Sequence, residues 1–147
     1  MNWDEYYLKI AEVISSKSKD PSTKVGCALV RPDHSLCSTG FNGFPQKMLD
    51  LPDYLNNRDE KYSRVVHAEI NALIFAGEFV KGYTAYTYPV GPCDRCVVAL
   101  LQAGVSRFVF PEIPEEMKER WKGTIDKSKL YINECGAKFF EVKPELL

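Results

Sequence analysis

The 147-residue chain lacks a surplus of charge of either sign: 19 Lys and Arg stand against 20 Asp and Glu, a formal net charge of −1. Such a balance gives no global pull toward nucleic acid or an anionic membrane, so no long duplex-binding surface is expected, only at most a local basic pocket. Also missing is any run of about 18 apolar residues, so no segment is expected to cross a bilayer. The start, Met1-Asn2-Trp3-Asp4-Glu5, has none of the basic-then-apolar layout of an export signal, which makes the cytosol the expected location. Cysteines number five, an odd count that does not suit a disulfide framework in a reducing compartment. Metal ligation or plain burial must account for them. No repeat or linker interrupts the chain, and one domain over residues 1–147 is expected. With 45% hydrophobic residues, that domain has the means to bury a core.

Apolar side chains at Trp3, Tyr6, Tyr7, Ile10, Val13 and Ile14 predict a helix over 3–14. Asp20-Pro21 marks a turn after it. Two strands follow over 24–30 and 35–41, joined by a hairpin at Arg31-Pro32-Asp33-His34. Residues 42–60 show little periodicity and read as a long loop, a feature that in compact domains is usually functional. Helical spacing returns over 63–79. A strand at 84–88, a helix at 93–103 closed by Gly104, and a strand at 107–110 come next. A helix over 114–135 with a break at Gly123 and a strand at 138–142 complete the chain. This order predicts an α/β domain with helices on both faces of one mixed five-stranded sheet, its first two strands antiparallel and its later ones parallel.

Two segments carry residues suited to chemistry, Val66-His67-Ala68-Glu69 and Pro92-Cys93-Asp94-Arg95-Cys96, each at the start of a predicted helix. One imidazole and two thiols suit a catalytic zinc with three protein ligands and one open position. Cys-x-x-Cys at a helix start lets both sulfurs face one point, and the helix N-terminus favours the thiolate a metal requires. Taken alone, such a pair suits redox chemistry or two buried thiols as well. A closed structural zinc would need a fourth ligand, and His34, Cys27, Cys37 and Cys135 have no spacing to supply one. Glu69 lies two residues from His67, too close for a routine fourth ligand, and is the candidate proton carrier. Zinc brings the pKa of water from 15.7 towards about 7.

The joint pattern His-x-Glu and Pro-Cys-x-x-Cys resembles the general signature of zinc nucleobase deaminases. The likeness extends to Ser18-Lys19-Asp20-Pro21-Ser22-Thr23-Lys24-Val25-Gly26, to Thr39-Gly40-Phe41-Asn42-Gly43-Phe44-Pro45 and to Gln102-Ala103-Gly104-Val105. Over roughly residues 5–142 the chain resembles the deoxycytidylate (dCMP) deaminase branch of the cytidine deaminase-like superfamily. The resemblance implies a three-layer α/β/α sandwich, one zinc per chain held by His67, Cys93 and Cys96, and Glu69 as the proton shuttle in hydrolysis of dCMP to dUMP and ammonia. It also implies Asn42 at the sugar hydroxyl and the Ala68 backbone facing the base. Tyr88 is a candidate for packing on the ring, with strand packing its alternative. Lys19, Ser22 and Lys24, with Thr23, are candidate phosphate donors or members of a solvated turn.

Members of that family are commonly hexameric and respond to dCTP and dTTP, so a homo-oligomer and those effectors are implied, with 48–59 as the corresponding loop. Some relatives carry extra Cys and His in the central loop for a second zinc; residues 38–66 contain neither. The alternatives are dCTP, a free nucleoside or another base as substrate, or a non-catalytic nucleotide-binding relative. Polymeric nucleic acid is not expected, since neither the charge nor the aromatic residues outline a groove. Cys27 and Cys37 are expected in the core and His34 in an exposed turn. Residues 115–122 are expected to present a solvated face, with Met117 and Trp121 on the buried stripe.

Overall fold

The computed structural model describes residues 1–147. Helix α1 (Trp3–Ser15) begins at Asn2, whose side chain accepts the Glu5 backbone N–H at 2.9 Å, and buries Tyr7, Leu8 and Ala11 along one stripe. That stripe lies on a five-stranded sheet made of β1 (Gly26–Val30), β2 (Leu36–Phe41), β3 (Thr84–Tyr88), β4 (Arg107–Pro111) and β5 (Lys138–Val142). The spatial order is β2-β1-β3-β4-β5. β1 runs antiparallel to both β2 and β3, whereas β3, β4 and β5 run parallel. Every residue of β1 is buried because helices cover both faces of the sheet.

The second face carries α4 (Ala68–Ile74), α5 (Asp94–Gln102) and α6 (Lys118–Glu134). Their inward residues Ala72, Val97, Leu100, Ile125 and Ile132 pack on Cys27, Leu29, Ala85, Phe108 and Phe110 from the sheet. Tyr7, Leu8, Ala28, Val30, Tyr86 and Val109 form the smaller core on the α1 side. Three layers result, as expected. Gly40 sets how closely α4 sits on β2: a Cβ there would lie 2.4 Å from both the Ala68 carbonyl and the Ala72 nitrogen. That contact fixes the start of α4, where His67 and Glu69 reside.

Three boundaries differ from the sequence reading. Residues 42–60 are not a bare loop but contain α2 (Pro52–Leu55) and reach α3 (Arg58–Arg64), which Asn57 caps by accepting the Glu60 N–H at 3.1 Å. α2 is a single turn and α3 meets the body through the polar Lys61, so neither leaves an apolar period to read. The expected helix over 63–79 is interrupted: Val66 is extended and exchanges two backbone hydrogen bonds with Gly43, at 2.8 and 3.1 Å. α4 therefore starts afresh after His67 and stops by Phe75. Gly123, expected to break the last helix, is instead within α6. It faces open space, and the roughly 1 kcal/mol its flexibility costs is outweighed by burial of Ile125, Ser128 and Ile132 on the same helix.

Cys27 is buried as expected, but Cys37 is only half-buried, with its thiol 3.8 Å from the Ala76 carbonyl. His34 is exposed and stacks on Trp3. No helix is long and apolar enough to cross a membrane.

Candidate active site

Two helix starts, those of α4 and α5, meet on one face of the sheet. His67 precedes α4 in an extended conformation that leaves its ring free of any capping bond. Cys93 precedes α5, and its sulfur accepts the Cys96 backbone N–H at 3.4 Å. The His67 Nδ1 lies 3.2 Å from Cys96 Sγ and 3.5 Å from Cys93 Sγ, and the three ligand atoms fall within 4.8 Å of one another. A tetrahedral zinc with ordinary bond lengths sets nitrogen-to-sulfur edges of about 3.5 Å, so this donor set fits that ion.

The electrostatics point the same way. The Cys96 thiol beside Cys93, helped by His67, overcomes burial and lowers the Cys93 thiol to about 4. Cys96 moves the other way, pushed up by the neighbouring Cys93 sulfur, by burial and by the charge of Glu69. The bond to Cys93 also raises His67. The three groups thus hold protons between them that a divalent cation displaces on binding. Glu69 is buried, and burial raises its carboxyl above the usual 4.5 although Cys96 and His67 oppose the shift. A carboxyl shifted upward holds a proton more readily than a free one, as a proton carrier requires.

A cavity of about 380 Å³ opens over this cluster. Val25, Val65, Ala68, Val90, Gly91 and Trp121 supply its apolar lining; Asp20, Ser22, Thr23, Asn42 and Lys61 supply the polar lining. Gly91 is required for the slot: a Cβ there would sit 2.9 Å from the Phe110 ring, so a bulkier residue would displace the segment that lines the cavity. Trp121, half-buried, leaves its indole N–H without a hydrogen-bond partner. Ser128 and Thr124 of α6 brace the Cys93 turn, Ser128 donating to the Pro92 carbonyl at 2.7 Å and Thr124 to the Asp94 carboxylate at 2.7 Å.

Beyond the cavity lies an outer recess of about 610 Å³ that shares Ser22, Lys61, Tyr62 and Arg120 with it and adds Arg58. None of the eight ion pairs of the chain involves Arg58 or Arg120. Burial raises the Tyr62 phenol, yet the nearby guanidinium groups of Arg120 and Arg58 outweigh it and bring the pKa below its usual value. Two unpaired guanidinium groups therefore flank one hydroxyl at the mouth of the site, an arrangement suited to an anion.

His67, Glu69, Cys93, Asn42, Ala68 and Ser22 all line the cavity. Lys19 does not; it pairs with Asp50 at 3.0 Å. Lys24 is exposed and outside the lining. Tyr88 is also outside it, its hydroxyl raised to about 12 by burial and by Glu12 of α1, on the opposite face of the sheet. Asn42 is more occupied than its sequence context suggests. Its amide oxygen accepts the Val25 N–H at 2.9 Å, and its amide nitrogen donates to the Thr23 carbonyl at 2.9 Å and to Asp20 at 3.5 Å. The residues missed by sequence reasoning, Arg58, Lys61, Tyr62 and Arg120, come from helices far apart in the chain. No local spacing announces them.

An α/β/α domain with a three-ligand metal centre, a buried carboxylate beside it and an open cavity defines a metal-dependent hydrolase site. The family model described as the cytidine and deoxycytidylate deaminase zinc-binding region matches residues 1–112, and the chain belongs to this family. It is 34% identical to an uncharacterized deaminase encoded in the luxG 3' region of Aliivibrio fischeri, over 91% of this chain and 89% of that one. It is 29% identical to human deoxycytidylate deaminase over 99% of this chain and 82% of the human protein. The mouse deoxycytidylate deaminase is 34% identical, and there the match spans 75% of this chain and 65% of the mouse protein, just under two thirds of its length. Among solved structures, the dCMP deaminase of cyanophage S-TIM5 in complex with dCMP and dUMP superposes with a TM-score of 0.72 at 26% identity, over 94% of this chain and 95% of that one.

Proposed function

We propose that this chain is a zinc-dependent deaminase that hydrolyses dCMP to dUMP and ammonia. The observation that carries the reading is the sequence of environments along one cavity. His67, Cys93, Cys96 and Glu69 lie at one end, an apolar slot follows, and the unpaired Arg58 and Arg120 lie past Ser22 and Lys61 at the other. A pyrimidine nucleotide offers the matching order of amino group, flat ring, sugar and phosphate. Two free guanidinium groups balance the two charges of a single phosphate monoester. The relatives named deoxycytidylate deaminase support the same substrate.

His67, Cys93 and Cys96 would hold the zinc, one ion per chain. When bound, zinc supplies a Lewis acid that makes water a nucleophile at neutral pH. Glu69 takes a proton from that water and delivers it to the ring nitrogen next to the reacting carbon, then takes the proton left on the added oxygen and passes it to the departing amino group. Water oxygen replaces nitrogen, and ammonia leaves. Burial of Glu69 raises its proton affinity, the direction that both transfers need. Val25, Val65, Val90 and Trp121 exclude bulk water from the ring. Ala68 faces the base, and the amide oxygen of Asn42 keeps one acceptor site free for a sugar hydroxyl. The phosphate rests between Arg58 and Arg120, with Ser22 on the sugar side of it; Lys19 and Lys24 take no part. The family resemblance further supports a cytosolic homo-oligomer, and dCTP and dTTP as effectors.

The test is ultraviolet detection of the cytosine-to-uracil change with zinc-loaded protein on dCMP, deoxycytidine, dCDP and dCTP. Preferential turnover of dCMP is expected. Glu69→Gln should retain zinc and lose turnover by at least about a hundredfold, the usual scale for a positioned proton carrier. Undiminished activity in that variant would overturn the mechanism, and silence on dCMP would overturn the substrate.

A further inference from the structure

Lys61 is the one basic residue of the chain that is buried, with 6% of its surface exposed. Its ammonium donates to Asp20 Oδ1 at 3.2 Å and to Ser22 Oγ at 3.1 Å, so α3 is tied to the 18–24 segment across 41 residues of sequence. Asp20 gathers the rest of that wall. The same Oδ1 accepts the backbone N–H groups of Ser22 at 2.8 Å and Thr23 at 3.2 Å, and Oδ2 faces the Asn42 amide nitrogen at 3.5 Å. Asp20, Ser22, Thr23, Asn42 and Lys61 all line the cavity that holds Glu69.

A buried ion pair is a poor source of stability, because the desolvation of two charges offsets their attraction and an apolar pair of similar volume serves as well. What this pair does supply is direction. An ammonium only donates, so Ser22 Oγ must accept from Lys61, and its own proton is left for an acceptor in the cavity. Ser22 makes no other side-chain hydrogen bond. The same logic runs through Asp20. A carboxylate only accepts, so Asp20 acts with the Thr23 carbonyl to keep the Asn42 amide nitrogen turned toward them and its oxygen toward the Val25 N–H, where that oxygen retains a second acceptor site in a residue that lines the cavity. One donor and one acceptor are thereby presented to whatever occupies the cavity.

We propose that Lys61, paired with Asp20, is a positioning residue that sets the donor and acceptor polarity of the sugar-facing wall, acting through Ser22 and Asn42 and not by touching the phosphate. This deepens the dCMP reading and rests on it. It separates Lys61 from Arg58 and Arg120: those bind one end of the nucleotide, whereas Lys61 prepares the wall that any deoxycytidine derivative meets.

The test uses zinc-loaded protein carrying Lys61→Met and the double variant Asp20→Asn, Lys61→Met. The single variant leaves a buried carboxylate unpaired and should lower Tm. The double variant removes both charges with little change in side-chain volume and should recover Tm. In the double variant kcat/KM should still fall by about tenfold or more, one oriented hydrogen bond's worth, for dCMP and for deoxycytidine alike, with the change in KM and not in kcat. Dissociation constants of both ligands, measured by calorimetry, should shift in parallel. A loss confined to dCMP would make Lys61 a phosphate ligand and overturn the proposal. Unshifted binding and turnover of both compounds in the double variant would reduce the pair to packing and overturn it as well. A wild-type protein silent toward dCMP would instead sink the activity, while the two dissociation constants would still decide the role of the pair.

Discussion

The hydroxyl of Ser128, in the middle of α6, donates to the backbone carbonyl of Pro92 at 2.7 Å, so the residue immediately before the Cys93 ligand is held by a helix 36 positions further along. Both groups are buried. Thr124, one turn earlier, adds a reciprocal pair with Asp94, accepting its N–H at 3.0 Å while donating to its carboxylate. The turn that presents Cys93 and Cys96 is thus fixed from outside the ligand set. Ser128→Ala would leave the Pro92 carbonyl buried without a partner, costing about 1–3 kcal/mol. Outer contacts of this kind typically carry 10–100-fold in metal affinity. The expected outcome is zinc binding weakened by about 10-fold or more in competition with a chromophoric chelator. Unchanged affinity would mean that the helix cap at Cys93 holds the turn by itself.

Arg120 and Arg58 approach the Tyr62 hydroxyl from α6 and α3 and have no carboxylate to neutralise them. Removing one guanidinium should act on the phosphate alone. Arg120→Ala is expected to raise KM for dCMP by about 10–100-fold, the range for one charge-assisted contact, while turnover of deoxycytidine stays near wild type. The phosphate also supplies a pH signature. Its second ionisation lies near pH 6, so the wild-type KM should rise as the pH falls below about 6 and one of the two charges is lost. In Arg120→Ala that dependence should flatten, because a single remaining guanidinium is satisfied by a monoanion. Kinetics on both substrates between pH 5 and 8 check this; an equal loss on deoxycytidine would place Arg120 at the base or sugar instead.

How much of this was legible in the sequence depended on the range of the signal. β3 and β5 were read to the residue, and the metal ligands stood out, because both are encoded by neighbours in the chain: a β-prone run bounded by turns, or a two-residue spacer at a helix start. Val65-Val66 shows where local reasoning failed. The apolar spacing around it fits a helix, yet the bridge to Gly43 claims Val66 for an extended conformation, and only the tertiary partner decides between them. Tyr88 failed for a related reason. Its position one strand before the Cys93 turn suggested the cavity, but alternation along β3 sends it to the α1 face with Tyr86. Lys61 and Arg120 sat in polar stretches that resemble any solvated helix face. What distinguishes them is that α3 and α6 converge on one opening, a fact that resides in the fold.

Asp4 and Arg107 provide a test of stability away from the active site. The two guanidinium nitrogens of Arg107 meet the two carboxylate oxygens of Asp4 at 2.7 and 2.8 Å, and the Tyr86 hydroxyl donates to Asp4 at 2.8 Å. This fork fastens the first turn of α1 to β3 and β4. The Arg107 hydrogen bond outweighs burial and, with Tyr86, holds the Asp4 carboxyl below its usual 3.8. A carboxyl whose pKa is lower in the folded than in the unfolded chain contributes stability that is complete above the unfolded value and is lost as the pH falls through the folded one. Asp4→Asn removes the charge and should cost about 1–2 kcal/mol at pH 7, the value being tempered by solvent at the partly exposed pair. For a domain of this size that corresponds to roughly 2–6 °C in Tm. The gap between wild type and variant should stay constant from pH 7 to about 5, then narrow below about 4 as Asp4 itself takes up a proton. Thermal unfolding of both proteins across that range, with metal loading held the same, measures it. A gap that stayed constant down to pH 3 would show that shape, and not charge, fastens α1 to the sheet.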